Sequence, residues 1–264
     1  MTTAHLAYVN ARVRARATRL VRGEEIGRLA VSEHPASIVP GWSDLAVDDA
    51  PTAALRAIFD RLVAEYAFGM RISPEAAPVL LALARLHEVE NVKLAWRAVA
   101  RGRHADDWRG CWRPLGAIEA VALERCAAVA SLRALAEVMR GTPYEAIAAT
   151  TLRAHGADVE AADLEFDRWS LGQVRAAVDR LPRREVLARA LLRTVADERA
   201  LLLAIRNGRA TPAALEEVRA RRVQLSVRAF RGTPYCLAPL LAYMLAREAE
   251  TRALISVAEQ RGRR

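Results

Sequence analysis

Lysine is nearly absent from this sequence: 39 of its 40 basic residues are arginine, and Lys93 is the exception. A nucleotide-binding P-loop requires a glycine-rich turn that ends in lysine, and Lys93 lies in an apolar-periodic stretch without such a turn. The HExxH, GxSxG and GxGxxG motifs of common enzyme classes are missing as well. The sequence therefore predicts a non-catalytic protein that needs no cofactor and has no small-molecule substrate.

Aromatic residues, glycine and proline are also scarce. Aromatics make up 5% of the 264 residues, and glycine and proline number 13 and 11. This composition suits neither a β-sandwich nor a barrel, whereas the abundant alanine, leucine, arginine and glutamate favour helices. An all-α fold is predicted.

The few cysteines and the short apolar runs bear on the compartment. Cys111, Cys126 and Cys236 have an odd count and no CxxC spacing, which indicates neither a disulfide framework nor a zinc site. The longest apolar run, residues 236–246, is about half of the ~20 residues that span a bilayer. We expect a cytoplasmic protein without a signal peptide or a transmembrane helix.

Two segments, 104–107 and 163–167, contain possible metal ligands, but neither has the spacing of a metal site. His104 and the aspartates after it follow a helix end marked by Gly102, where polar side chains commonly satisfy backbone groups. The segment 163–167 imitates the start of a calcium-binding EF-hand loop, but Arg168 stands where that loop requires glycine. No metal site is predicted.

Proline marks several helix starts. Pro51, Pro74 and Pro212 open predicted helices over 51–68, 74–101 and 212–230. The segment 32–50, with Pro35, Pro40, Gly41 and Trp42, is the clearest irregular connection.

The net charge of +9 is compatible with a polyanionic partner. Most arginines lie within a helical turn or two of an acid, whereas those of the stretch 218–231 look locally unopposed. Arg219, Arg222 and Arg228 are therefore candidate residues of a partner interface, with a solvated helix face as the alternative. A basic helical module that binds nucleic acid through this stretch is a second hypothesis for the function.

The pentapeptide Arg-Gly-Thr-Pro-Tyr occurs twice, at 140–144 and at 231–235. Glycine suits the left-handed end of one helix, and proline suits the first turn of the next. Thr142 and Thr233 are predicted N-caps, with Glu145 completing a capping box in the first copy. Tyr144 and Tyr235 are predicted to be packing anchors with bonded hydroxyl groups.

A second repeat precedes each corner. Residues Glu88–Arg97 align without gaps to Asp197–Arg206, so that an acid is followed by an apolar face and then by an arginine. A partial third copy starts at Glu250. We expect Arg97 and Arg206 to pair with nearby acids such as Glu88 and Asp197 rather than to line a partner surface.

Together these motifs resemble the C-type subunit of the archaeal and bacterial V/A-type ATPase (ATP synthase), which is equivalent to the d-type subunit of eukaryotic V-ATPases. The order of the motifs carries the resemblance, which runs nearly end to end. They are Tyr8–Arg14 with Leu20, Glu90–Arg97 with Asn91, the two corners, Asp163–Arg168 and Leu240–Arg252.

The resemblance implies three similar helical lobes with pseudo-threefold arrangement, together shaped like a funnel. Lobe one would comprise 1–70 plus 240–264, lobe two 71–152 and lobe three 153–239. Because the third acid motif lies near the C-terminus and its partners, Leu20 to Pro40, near the N-terminus, we expect both chain ends to close lobe one and to lie close in space. Lobe one also looks shortened, since 14 residues separate Ile26 from Pro40 where 25 separate Ile118 from Pro143.

The function implied by the resemblance is that of a non-catalytic socket in a rotary ATPase. Such a subunit joins the rotor shaft to the membrane proteolipid ring during proton or sodium transport, and it associates with the membrane peripherally through the ring. The partners would be shaft and ring subunits, with no nucleic acid. The later motif copies carry Ala200 and Ala253 where the family usually has asparagine.

Overall fold

The computed structural model describes residues 2–21, 23–31 and 51–261. Within these ranges every regular element is a helix, which confirms the all-α prediction. The segment 32–50, predicted to be irregular, and Pro40, on which the shortening of lobe one rests, lie outside the described residues. The α-helices are α1 Thr3–Ala17, α2 Gly23–Val31, α3 Pro51–Ile72, α4 Ala77–Ala100, α5 Leu123–Ala127, α6 Leu132–Val138, α7 Glu145–His155, α8 Val159–Arg180, α9 Val186–Arg206, α10 Pro212–Arg231 and α11 Ala238–Arg261.

The proline signals locate three helix starts. Helices α3 and α10 begin at Pro51 and Pro212, as the sequence predicts. At the third signal, a single 3₁₀ turn over Pro74–Ala76 comes before α4 begins at Ala77.

The described residues fall into two compact units. Unit 1 holds the described residues up to Leu80, residues 181–191 and the residues from Arg221 onward. Unit 2 holds residues 81–180 and 192–220. The finer division into three lobes stays a prediction.

Helix α11 is the centre of unit 1 and packs against α1, α2 and α3. Its residues 240–244 are consecutive and all fully buried, which is typical of a helix surrounded by others. Gly69 on α3 lets neighbouring side chains approach closely, because a Cβ there would lie 2.8 Å from Leu80 Cδ1. Farther along α11, Leu254 and Val257 pack with Ile58, Val21 and other apolar residues. These contacts bring the first and the last described helices together.

Unit 2 has an aromatic core. The buried Trp96 of α4 meets Phe166 of α8 edge-on, with ring centroids 5.4 Å apart. Tyr144 packs on Trp169 with centroids 4.9 Å apart. Helices α6, α7 and α8 pack in sequence order around this core.

Candidate functional site

Glu88 is the centre of a buried polar network in unit 2. Its side chain is fully buried on α4, and Oε1 accepts hydrogen bonds from the backbone N–H groups of Ala120 and Val121, the latter at 3.0 Å. Its Oε2 accepts the hydroxyl proton of Tyr144 at 2.8 Å. Burial, followed by the charge of Glu88, raises the pKa of the Tyr144 hydroxyl, so the phenol stays protonated and remains a donor.

Asn91 lies one helical turn after Glu88 and makes two bonds to one backbone unit. Its Nδ2 donates to the carbonyl of Arg113 at 2.7 Å, and its Oδ1 accepts the N–H of Arg113 at 2.9 Å. Glu88 and Asn91 therefore fasten α4 to the segment 113–121. The geometry gives both residues a structural role, because each buried polar atom is occupied by the chain's own backbone or side chains.

Arg97 and Arg206 pair with acids other than the expected Glu88 and Asp197. Arg97 Nε lies 3.1 Å from Asp163 Oδ2, and Arg206 lies 3.8 Å from the same carboxylate and 3.7 Å from Asp167. The reason is that the Glu88 carboxylate is already occupied by Tyr144 and backbone N–H groups. The acids come instead from the motif 163–168, which supplies Asp163 and Asp167.

Lys93 and Glu90 extend this charged cluster. Lys93 Nζ lies 2.8 Å from Asp167 and 3.2 Å from Glu90. Burial by itself would raise the pKa of Glu90, but the charges of Lys93, Arg113 and Arg199 hold that pKa below its usual value. Three cations, Lys93, Arg199 and Arg206, and two anions, Glu90 and Asp167, line a small cavity of about 220 Å³.

Asp197 is exposed, and the residue after it is the buried acid of α9. Glu198 is 7% exposed, and Arg219 Nε donates to its Oε1 at 2.9 Å. Successive side chains on a helix point about 100° apart, so only one of two neighbouring acids can face the core. The gap-free alignment matched Glu88 to Asp197, although Glu198 is the acid that is buried.

The first corner differs from the predicted capping box. Helix α7 begins at Glu145, and Thr142 Oγ1 accepts the N–H of Tyr144 at 3.1 Å while donating to the carbonyl of Met139 at 2.6 Å. The Glu145 carboxylate reaches back to the N–H of Gly141 at 2.9 Å, and Gly141 has a positive φ of 73°. Thr142 thus stabilises the turn between two helices rather than the first turn of α7.

The second corner shares the threonine bond and little else. Thr233 Oγ1 accepts the N–H of Tyr235 at 3.3 Å, but α11 begins only at Ala238. Tyr235 is 54% exposed, so the prediction of a buried packing anchor is wrong at this position and right at Tyr144. The corner is held by α1 instead, because Asn10 Nδ2 donates to the carbonyls of Pro234 and Cys236, and Arg14 donates to that of Gly232 at 2.9 Å.

We expect Thr142→Ala to lower the free energy of unfolding by about 1 kcal/mol, the usual contribution of such hydrogen bonds. Thr233→Ala should cost less, because its oxygen makes one longer bond on an exposed turn. Urea unfolding followed by circular dichroism measures both. Equal losses in the two variants would contradict the difference between the corners.

Glu250 occupies in unit 1 a position similar to that of Glu88 in unit 2. It is 6% exposed, its Oε1 accepts the N–H of Val21 at 2.8 Å, and its other oxygen is bound by Arg247. Nearby, the buried Tyr66 donates its hydroxyl proton to Glu248. The sequence motif located Glu250, whereas Tyr66 lies in no repeat and was not anticipated.

The three interface candidates on α10 differ in exposure. The side chain of Arg219 is 44% exposed and is paired with Glu198 and Glu216, and Arg228 is exposed. Arg222 is only 8% exposed, which corrects its assignment to an exposed surface. It falls on the narrow buried stripe of α10, where Leu215, Arg222 and Ala229 recur every seven residues.

The exposed side of α10 also carries apolar residues that the sequence analysis did not single out. Val223 and Val227 are 63% and 43% exposed, and Arg221, Arg228 and Arg231 lie on the same exposed part of the helix. Arg228 also lines a cavity of about 290 Å³ together with Thr233, Cys236 and Val186, which is 72% exposed. We call the exposed side of residues 221–231 with this cavity the α10 face.

Metal sites, membrane spans and disulfides each place requirements on the described residues. Over residues 2–21, 23–31 and 51–261, no three histidine, cysteine or acidic side chains group in a way that could hold a metal ion. In the same ranges no helix combines the length and the apolar character required to cross a bilayer. Cys111, Cys126 and Cys236 are all free thiols.

A family model described as ATP synthase (C/AC39) subunit matches residues 9–222. The match covers most of the chain, and the chain belongs to this family of V/A-type ATPase subunits. Comparison with curated proteins and with solved structures finds no match to either. The family is that of an accessory subunit of the ATP synthase, and membership implies association with the ATPase complex.

Proposed function

We propose that this protein is the non-catalytic central-stalk socket of a rotary V/A-type ATPase. It would couple the rotor shaft to the membrane proteolipid ring and would associate with the membrane peripherally, through the ring. Family membership supports the assignment to the complex, and the α10 face is the observation that carries the role in docking. No feature of the described residues favours the alternative of a nucleic-acid-binding module.

The α10 face has the properties of a protein-binding surface. Exposed apolar side chains next to polar ones are enriched where proteins bind other proteins. Val223 and Val227 lie one turn apart, so they present a continuous apolar edge, and the arginines beside them can pair with acids on a partner. Electrostatic pairing would guide the encounter, and the apolar contacts would hold the bound state.

Transmission of torque also requires that the socket itself resists deformation. The buried networks around Glu88 and Glu250 meet this requirement. Glu88 ties α4 to two backbone N–H groups and to the Tyr144 hydroxyl, and Glu250 ties α11 to the backbone N–H of Val21. Buried, fully satisfied polar networks fix one arrangement of a core. In this proposal the motif residues keep the body rigid, and the α10 face makes the contact.

The test is ATP-driven ion uptake by vesicles that contain the complex reconstituted with its shaft and ring. We expect the double variant Val223→Asp/Val227→Asp, and separately Arg228→Glu, to dissociate the subunit or uncouple pumping, because they remove contacts with the partner. The fold itself should persist, since exposed side chains contribute little to its stability. Arg133→Glu is the matched control, since this arginine is exposed on α6 and lies outside the α10 face. The isolated wild-type chain should hydrolyse no ATP.

Three results would contradict the proposal. The α10-face variants could pump and assemble as the wild type does. The purified chain could show an intrinsic turnover that a single substitution abolishes. The chain could also associate with partners in a manner that ribonuclease removes and that depends steeply on salt, which is the behaviour of a nucleic-acid-binding protein.

A further inference from the structure

An arginine-lined cavity in unit 1 plays no part in the docking role. Its volume is about 560 Å³, and its wall is built from the end of α1 and from α2, α3 and α11. Four guanidinium groups converge there, those of Arg16, Arg19, Arg61 and Arg247. Pockets of this size typically hold small molecules in proteins.

Two of the four arginines are neutralised by the chain's own acids. Arg16 donates to both carboxylate oxygens of Glu65, at 2.9 and 3.0 Å. Arg247, with its side chain 8% exposed, is bound by Glu250 and lies 3.6 Å from Glu65. These pairs fix two sides of the cavity in place.

The other two arginines have no acidic partner among the described residues. Arg19 is exposed at the end of α1, and Arg61 is half-buried on α3. The carboxylates at the cavity are Glu25, Glu65 and, behind Arg247, Glu250, so four cations face three anions. The C-terminal dipole of α1 offsets part of this surplus. The guanidinium groups of Arg19 and Arg61 are therefore the ones available to bind an anion.

The chemistry of the wall indicates which kind of anion fits. Guanidinium groups bind phosphate oxygens in a bidentate manner, and two free guanidinium groups can clamp one phosphate chain. No aromatic residue lines the cavity, so a stacking surface for a nucleobase is missing from its described wall. We propose that this cavity is a binding site for a phosphate-bearing anion, with Arg19 and Arg61 as the groups that hold it.

The proposal is independent of the docking role and is tested on the isolated full-length chain. The probe is sodium pyrophosphate, titrated by calorimetry at low salt into the wild type, Arg19→Gln and Arg61→Gln. We expect saturable one-to-one binding that each substitution weakens by about tenfold or more, the effect of losing one charge-assisted hydrogen bond. Melting temperatures should stay near that of the wild type, because neither arginine has an acidic partner to lose.

A matched control and a second probe complete the test. Arg71→Gln removes an exposed arginine from α3 that does not line the cavity, and it should bind pyrophosphate as the wild type does. Phosphatidylcholine vesicles containing phosphatidylglycerol distinguish the two sources of phosphate. Vesicle binding that requires Arg19 and Arg61, without pyrophosphate binding, assigns the phosphate to a lipid headgroup, and the reverse assigns it to a free oligophosphate.

Two outcomes would overturn the proposal. One is that neither pyrophosphate nor the anionic vesicles bind. The other is that the Arg19 and Arg61 variants bind both probes as tightly as the Arg71 control does.

Discussion

Replacement of Glu88 by alanine should lower the free energy of unfolding by about 3–5 kcal/mol. The substitution removes the acceptor for three donors, the buried hydroxyl of Tyr144, the buried N–H of Val121 and the partly buried N–H of Ala120. A buried donor without a partner costs about 1–3 kcal/mol, because it cannot return to water. Denaturant unfolding followed by circular dichroism measures the loss.

Two variants separate the parts of this effect. Tyr144→Phe removes only the hydroxyl that donates to Glu88 Oε2, and it should lower the free energy of unfolding by about 1–2 kcal/mol. Glu124→Ala changes an exposed glutamate of α5 and should stay within about 0.5 kcal/mol of the wild type. A loss below about 1 kcal/mol in Glu88→Ala would mean that water or another side chain takes over its hydrogen bonds.

The second large effect is expected at Arg222. Arg222→Glu should destabilise the protein by about 3 kcal/mol or more, because it places a negative charge at a position that is only 8% exposed. The substitution also removes an arginine that interacts with other residues of the chain. Arg228→Glu on the same helix should cost about 0–1 kcal/mol, since that side chain is exposed.

The measurement is the unfolding midpoint of the two variants under identical conditions, together with their soluble yield. Similar midpoints would contradict the assignment of Arg222 to the buried stripe of α10. A stable Arg222→Glu variant that failed to assemble would restore Arg222 as an interface residue.

The sequence predicts the helical class and much of the helix punctuation, because both depend on local chemistry. Proline in the first turn of a helix acts on the backbone within a few residues. The shortage of aromatics and glycine favours helix over strand along the whole chain. The starts of α3 and α10 are accordingly found at Pro51 and Pro212. The boundary at Glu145 is missed by two residues because Thr142 forms a turn with its neighbours instead of capping the helix.

The partners of the motif residues were harder to predict, because they depend on contacts distant in sequence. The motifs singled out Glu88 and Tyr144 separately, but they could not show that these two would bind each other or that Asp163 would bind Arg97. They also placed Tyr235 by analogy with Tyr144. The two corners share five letters but differ in their surroundings, since Trp169 covers Tyr144 and no such cover protects Tyr235 from solvent.

Exposure along α10 was the least predictable property. An arginine at a buried position and one at an exposed position look alike in a single sequence, and long side chains can bury their stems while the charge stays solvated. The seven-residue spacing of Leu215, Arg222 and Ala229 was the available signal. This spacing identifies Arg222 as buried only after the structure has shown which side of α10 faces the core.

The bond between Val21 and Glu250 affects the order in which parts of the protein can fold. Helix α11 is synthesised after all the other described helices, yet it is the main packing partner of α1, α2 and α3. The residues of unit 2 are complete once the ribosome has passed Ala220, whereas the first three helices must wait for the last one. The nascent chain therefore holds Ile58 without its α11 partners, Leu254 and Val257, for most of translation. The segment that is synthesised first is the one whose packing is completed last.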